Sequence, residues 1–146
     1  AEIGVNHENS IEKAKLMIDE CAKLKIGTVK FQSYKANKIA ANYSPAYWDT
    51  KKETTKSQIE LFSKFDTFSF DDFKELSLYC KDLGIEFLST PFDVDYVEML
   101  NPLMKRFKVA SVDLNNYLLL EAIASTKKPI IMSTGASTMD EIRQSL

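Results

Sequence analysis

Histidine is almost absent from this chain of 146 residues, His7 being the only one. One imidazole cannot build a His-rich metal centre, and a lone histidine just after a strand most often serves as a hydrogen-bonded structural residue. Cysteine is nearly as scarce. Cys21 and Cys80 fall in helix-like stretches with neither CxxC nor metal-ligand spacing, so they read as reduced thiols and favour a cytoplasmic setting. Positive charge is not in excess: 19 Lys and Arg face 21 Asp and Glu, for a net charge of -2, which excludes a basic field for nucleic acid. No apolar run approaches the roughly 20 residues that span a bilayer, and no signal-peptide pattern is present. An initiator Met is lacking too. Ala1–Val5 reads as a strand already under way, and Met139–Leu146 opens an amphipathic helix that then stops, so a piece of a longer protein is expected.

What is present is enough apolar residue, 45% of the total, to build one domain with a real core. Strand and helix signals alternate. After the strand at Ala1–Val5, Ser10 is placed to cap a helix carrying Ile11, Ala14, Leu16, Ile18, Cys21, Ala22 and Leu24 at helical spacings, stopped by Gly27. Thr28–Gln32 is the second strand. A long polar stretch, 33–55, follows; loops of that length are uncommon inside a compact domain and usually functional. A helical segment at 57–64 precedes Ser69 and Asp72, which resemble a capping box opening a helix with Phe70, Phe73, Leu76, Leu78, Tyr79 and Leu83, ended by Gly84. Ile85–Thr90 is the third strand, closed by Pro91. Then come a short helix at Asp93–Leu100, a strand at Arg106–Ala110, a helix at Tyr117–Ser125 and a strand at Pro129–Ser133. This order implies parallel strands with crossover helices, hence an α/β fold. Polar residues recur near the carboxyl end of every strand, which fits a (β/α)8 TIM barrel better than an open sheet with one switch point. A whole barrel needs about 250 residues, so these would be about its first five strand–helix units.

Two lysines carry the functional reading: Lys30 in Thr28–Gln32 and Lys108 in Phe107–Ser111. Both stand at the ends of apolar strand-like runs, and a strand buried on both faces rarely ends in a lysine unless the ammonium finds an anion. Either lysine alone could snorkel to solvent from an edge strand. Taken with Thr90 and Ser111, the pair points to a phosphate or carboxylate ligand, lysine supplying charge and hydroxyls fixing orientation. Ser133-Thr134-Gly135 is either an ordinary strand exit or a close approach of backbone amides to an oxyanion. Glu2, on a first strand expected to be buried, wants a cation, a metal or a substrate hydroxyl; Lys30 as a structural partner is the plainer alternative. Asp113 either caps the turn before Asn115 and Asn116 or accepts from a sugar hydroxyl. Tyr43, Tyr47 and Trp48 in the long stretch either pack on the rim or cover a site.

Five motifs, Ala1–His7, Val29–Gln32, Phe87–Phe92, Phe107–Ser111 and Met132–Gly135, stand in the order and approximate spacing of the sialic acid synthase family, which the chain resembles over essentially its whole length. That family includes N-acetylneuraminate synthase and its pseudaminic and legionaminic acid relatives. The resemblance implies a TIM-barrel transferase that condenses phosphoenolpyruvate with the open-chain form of an N-acetylated amino sugar, giving a nine-carbon 2-keto acid and phosphate. It implies that Lys30, Thr90, Lys108, Ser111 and Ser133 hold phosphoenolpyruvate, and that Glu2, Gln32 and Asp113 face the sugar or the water. A divalent metal, Mn2+ or Mg2+, is implied with ligands outside this chain, as are a closing antifreeze-like domain and, through domain exchange, a homodimer. These residues alone are then expected to be inactive. The chain departs from the family at Glu8-Asn9, where Asn-Gly is frequent, and at Val112, where Gly is usual. The alternatives are another phosphoenolpyruvate-using barrel synthase or lyase, and a non-catalytic half-barrel that binds anions.

Overall fold

The computed structural model describes residues 1–146 and alternates strand with helix from end to end. Strand β1 (Glu2–Gly4) leads through helix α1 (Ile11–Lys23) to β2 (Thr28–Ser33). Two short helices, α2 (Ala36–Ile39) and α3 (Gln58–Ser63), break up the long polar stretch before α4 (Phe70–Asp82). The series continues with β3 (Glu86–Pro91), α5 (Val94–Leu100), β4 (Phe107–Val109), α6 (Tyr117–Ser125), β5 (Ile130–Met132) and α7 (Met139–Gln144). Every ladder is parallel: β1 on β2, β2 on β3, and β4 on β5. β3 and β4 pack side by side without a hydrogen-bonded ladder, so the strands follow one another in chain order. Parallel neighbours joined by helices define the α/β class. No helix is long and apolar enough to cross a membrane.

Local sequence explains most helix boundaries. Ser10 Oγ accepts from the Lys13 amide at 3.1 Å, and Ser69 with Asp72 forms the reciprocal capping box that opens α4. Each such cap stabilises by about 1 kcal/mol. Gly84, at φ +71°, ends α4 in the left-handed conformation. Gly27 does not end α1. Lys25 takes the left-handed position instead, at φ +57°, and its amide donates to Ala22 O at 2.9 Å. Those carbonyl-capping bonds offset the side chain's cost of about 1–2 kcal/mol there. Pro91 is the last residue of β3, paired with Ser33, where a missing donor costs least.

Alternation along β2 sorts the molecule into two sides. Val29, Phe31 and Ser33 are buried, while Thr28, Lys30 and Gln32 are only partly covered. The buried side meets the helices: Phe31 stacks on Phe87 at 5.5 Å, and Phe73, Leu76 and Cys80 of α4 join Ala14 and Ile18 of α1 in the same core. A fully buried Phe or Leu contributes about 1.5–3 kcal/mol. Leu16, Leu24, Leu78 and Leu83 do not join it, and all are exposed. Leu16 stands two residues from both Ala14 and Ile18, and Leu78 two from both Leu76 and Cys80, which places each about 200° around its helix from the buried stripe.

Candidate active site

On the partly covered side, β2 and β3 are in register with Lys30 opposite Leu88 and Gln32 opposite Thr90. Lys30 lies in the middle of its strand, not at its end. Its side chain runs along the sheet, and Nζ donates to Thr90 Oγ1 at 3.3 Å. Lys30 is also ion-paired with Glu2 of β1. Lys108 repeats the arrangement one sheet further on. It is opposite Ile131, and its Nζ donates to Ser133 Oγ at 2.6 Å and to Val109 O at 2.5 Å. No carboxylate forms an ion pair with Lys108. Burial pushes its pKa below the usual lysine value, the neighbouring Lys30 ammonium pushes the same way, and Glu2 pulls back weakly. An ammonium that is desolvated and repelled by another gains most from an arriving anion.

Glu2 is positioned by a break in the β1 ladder. The register shifts between Glu2 and Gly4, and Gly4 adopts φ +56°. A Cβ at Gly4 would lie 3.1 Å from Glu2 Oε1, so glycine lets the carboxylate fold back toward Lys30. The structural partner considered for Glu2 is therefore present, and the carboxylate stays about half exposed and open to a ligand.

Ser111 follows β4 in a short 3-10 turn, beside Gly135, where a Cβ would meet Ser111 Oγ at 3.5 Å. Val112 is exposed and lines a cleft together with Asp113. Asp113 is buried. Asn116 Nδ2 donates to its Oδ1 at 3.1 Å while Asn116 also caps α6, so the turn-capping reading of Asp113 is realised. Its Oδ2 is buried without a partner, and burial raises its pKa above the ordinary carboxylate value, against the pull of the Asn116 hydrogen bond. Asp113 does not touch either lysine. It lines a separate cleft of 460 Å3 with Ile39, Tyr47, Gln58, Phe62, Phe92 and Val112. Gln58, Phe62 and Ile39 carry no motif in the sequence. They arrive because the long segment doubles back, with Pro45 bridged to Ser57 and Trp48 Nε1 donating to Thr55 O at 3.2 Å. Another cleft, of 340 Å3, lies at the amino ends of the strands against Gly27, Gly84, Lys81 and Lys105, away from these groups.

His7 is buried and stacked on Phe68 at 4.1 Å, and its Nδ1 accepts from the Asn9 amide at 3.2 Å. Burial holds its pKa below the usual imidazole value. Glu8 and Asn9, where the family often has Asn-Gly, both take left-handed backbone at φ +51° and +61°. The turn thus survives without glycine.

Two lysines, a carboxylate and several hydroxyls thus gather on one side of the strands of a parallel α/β domain, an arrangement whose chemistry suits an anionic ligand. Comparison with known proteins gives the family: the chain belongs to the NeuB family, whose model matches residues 17–146. It is 39% identical to N,N'-diacetyllegionaminic acid synthase of Campylobacter jejuni, covering 100% of this chain and 44% of that protein. It is 34% identical to N-acetylneuraminate-9-phosphate synthase of Mus musculus, covering 99% of this chain and 40% of that protein. The solved structure of the N-acetylneuraminic acid (sialic acid) synthetase of Leptospira borgpetersenii, in complex with citrate, superposes with a TM-score of 0.84 at 31% identity, over 99% of this chain and 47% of that one. The chain thus spans less than half the length of these relatives.

Proposed function

We propose that these residues form the first five strand–helix units of a TIM-barrel synthase that condenses phosphoenolpyruvate with an N-acetylated amino sugar. The observation that carries this reading is Lys108: partly buried, repelled by Lys30, bonded to the Ser133 hydroxyl and paired with no carboxylate. Such an ammonium is a receptor for the phosphate or carboxylate of phosphoenolpyruvate, with Lys30, Thr90, Ser111 and Ser133 around it. Membership of the NeuB family supports the same choice of substrate type.

In the proposed reaction, C3 of phosphoenolpyruvate attacks the aldehyde carbon of the open-chain sugar, forming the new C–C bond. Negative charge develops on the aldehyde oxygen and positive charge at C2. Water adds at C2, and the C2–O bond to phosphate breaks, leaving a nine-carbon 2-keto acid and inorganic phosphate. Lys30 and Lys108 hold the anionic groups in place and stabilise the departing phosphate. Glu2, half exposed beside Lys30, is placed to stabilise the cation at C2 or to take a proton from the water. Gln32 and Asp113 face the sugar or the water.

No trio of His, Cys, Asp or Glu side chains in this chain is placed to hold a metal ion, and the one imidazole is committed inside the core. The residues present do not by themselves fit the divalent ion that the family resemblance implies, so no step above runs through it. The whole protein is proposed to work as a homodimer in the cytoplasm, a setting that the free Cys21 and Cys80 suit. The residues described are proposed to be inactive alone.

The test uses the complete protein from which this chain comes, given phosphoenolpyruvate, a divalent metal and a panel of N-acetylated hexosamines, with products identified by mass. A nine-carbon keto acid is the expected result. A different keto acid would move the protein to another phosphoenolpyruvate-using barrel synthase, and untouched phosphoenolpyruvate would leave only an anion-binding role.

A further inference from the structure

The lysine site is shared between two hydrogen-bonded units, and the seam between them runs through residues that the reaction above leaves unused. Glu2, Lys30 and Thr90 belong to the ladder β1–β2–β3, whereas Lys108 belongs to β4 and Ser133 follows β5 in the other ladder. The second unit is tied firmly within itself. Phe107 N donates to Pro129 O at 2.9 Å, Ser133 N to Val109 O at 3.1 Å, and Lys128 Nζ to Met104 O at 2.7 Å. We propose that Met104 is a positioning residue, whose sulfur sets the separation of the two units and so the distance across which Lys30 and Lys108 share one anion. The inference rests on the synthase reading above, which makes phosphoenolpyruvate that anion.

Three observations carry this. First, the buried amide of Ser89, in the middle of β3, donates to no carbonyl of β4; it donates to Met104 Sδ at 3.0 Å. The Ser89 hydroxyl stays with its own unit, 2.6 Å from Ser33 Oγ. A thioether is a weak acceptor on a flexible side chain, so it serves the amide over a range of separations that a ladder carbonyl would not allow. Second, the seam is fastened at one end. Arg106, just before β4, is bonded to the carboxylate of Glu86 at the amino end of β3, its Nε donating at 2.9 Å. No hydrogen bond joins β3 to β4 at the carboxyl end, where Thr90 and Ser133 hold the two ammonium groups. Third, charges of one sign face each other there: the Lys30 ammonium acts on Lys108, and Glu2 pulls back weakly. An anion bound by both lysines removes that repulsion and favours one separation of the units. The seam thus turns on Arg106–Glu86, is spaced by Met104 and closes on its ligand.

The experiment follows amide hydrogen exchange in the complete protein, free and with phosphoenolpyruvate. A ligand at about ten times its Kd slows an opening that it forbids by about tenfold, and that slowing is expected for the Ser89 amide. Slowing in the peptides that carry Lys30 and Lys108, with Ser89 unchanged, overturns the inference and leaves the synthase reading intact. Phosphoenolpyruvate that slows no amide of these strands overturns both. Met104→Leu then keeps the volume and removes the acceptor. It is expected to raise KM for phosphoenolpyruvate by about fivefold with kcat unchanged, because the ligand must now order a looser seam. A methionine that only fills the core would lower Tm in this variant and leave KM where it was, and that result overturns the role assigned to Met104. Should Met104→Leu not fold, the exchange of Ser89 in the unaltered protein decides alone.

Discussion

On β2, Lys30 stands opposite Leu88 and reaches two residues along β3 to the hydroxyl of Thr90; on β4, Lys108 stands opposite Ile131 and reaches two residues along to the hydroxyl of Ser133. The two arrangements match in register, direction and partner type. They differ in what neutralises the charge. Lys30 has Glu2 from the neighbouring strand, whereas Lys108 has a carbonyl, a hydroxyl and another ammonium nearby. The difference comes from position in the series of strands. Glu2, on the strand before β2, reaches Lys30, whereas Glu86 of β3, the strand that packs beside β4, is paired with Arg106. One lysine is ion-paired within the chain and the other is held by a hydroxyl and a carbonyl.

Substitutions in the complete protein can break that comparison, and the largest effect is expected at Lys108. Lys108→Ala should lower kcat/KM by about 10²–10³-fold without loss of folding. Lys108→Arg should not restore it, because a planar fork cannot reproduce a point charge seated on Ser133. A loss under about tenfold in the alanine variant would mean that Lys108 only fills space. Glu2→Gln comes next, with a fall in kcat of about 10²-fold but no rise in KM for phosphoenolpyruvate, since Lys30 loses its internal competitor. A raised KM with kcat unchanged would instead make Glu2 a binding group.

Gly4→Ala sharpens the same contrast from the backbone side. The substituted residue must hold φ +56° and crowd the Glu2 carboxylate, so a loss of about 1–2 kcal/mol in denaturant unfolding is expected. Ser69→Ala, far from either lysine, should cost about 1 kcal/mol and leave kinetics untouched. Comparing the two variants separates damage to the site from damage to the scaffold.

The smallest effect belongs to Asp113 and is visible only as a difference. Its folded pKa is raised by burial, so between the unfolded and folded values the native state holds a proton that the unfolded chain has released. The stability this contributes is complete below the unfolded carboxylate value of about 3.9 and is lost as pH rises through the folded value. The curve of wild type minus Asp113→Asn should therefore fall with rising pH and then level. A difference flat from pH 3 to 7 would show that Asp113 titrates alike in both states.

Much of this was legible without coordinates, and for a local reason. Ser10, Ser69 and Gly84 act on amides or backbone within a few residues of themselves, so their roles follow from spacing. Lys30 and Lys108 were legible because a charged residue inside an apolar strand contradicts its surroundings. Gly27 misled because a lysine two residues earlier was already held in the left-handed conformation by carbonyl caps. The exposed Leu16 and Leu78 show how helical spacings, counted loosely, admit residues from the far side.

The sequence by itself determined the alternation of strand and helix, the boundaries of most helices and the identity of the two lysines, because each depends on neighbours within a turn or a strand. Tertiary structure alone decided that Glu2 belongs to Lys30, that Ser133 and not a carboxylate belongs to Lys108, and that Asp113 opens on a cleft with Gln58 and Phe62. Those contacts join residues 25 to 55 positions apart. They are set by ladder register and by the doubling back of a long segment, neither of which leaves a local pattern to read.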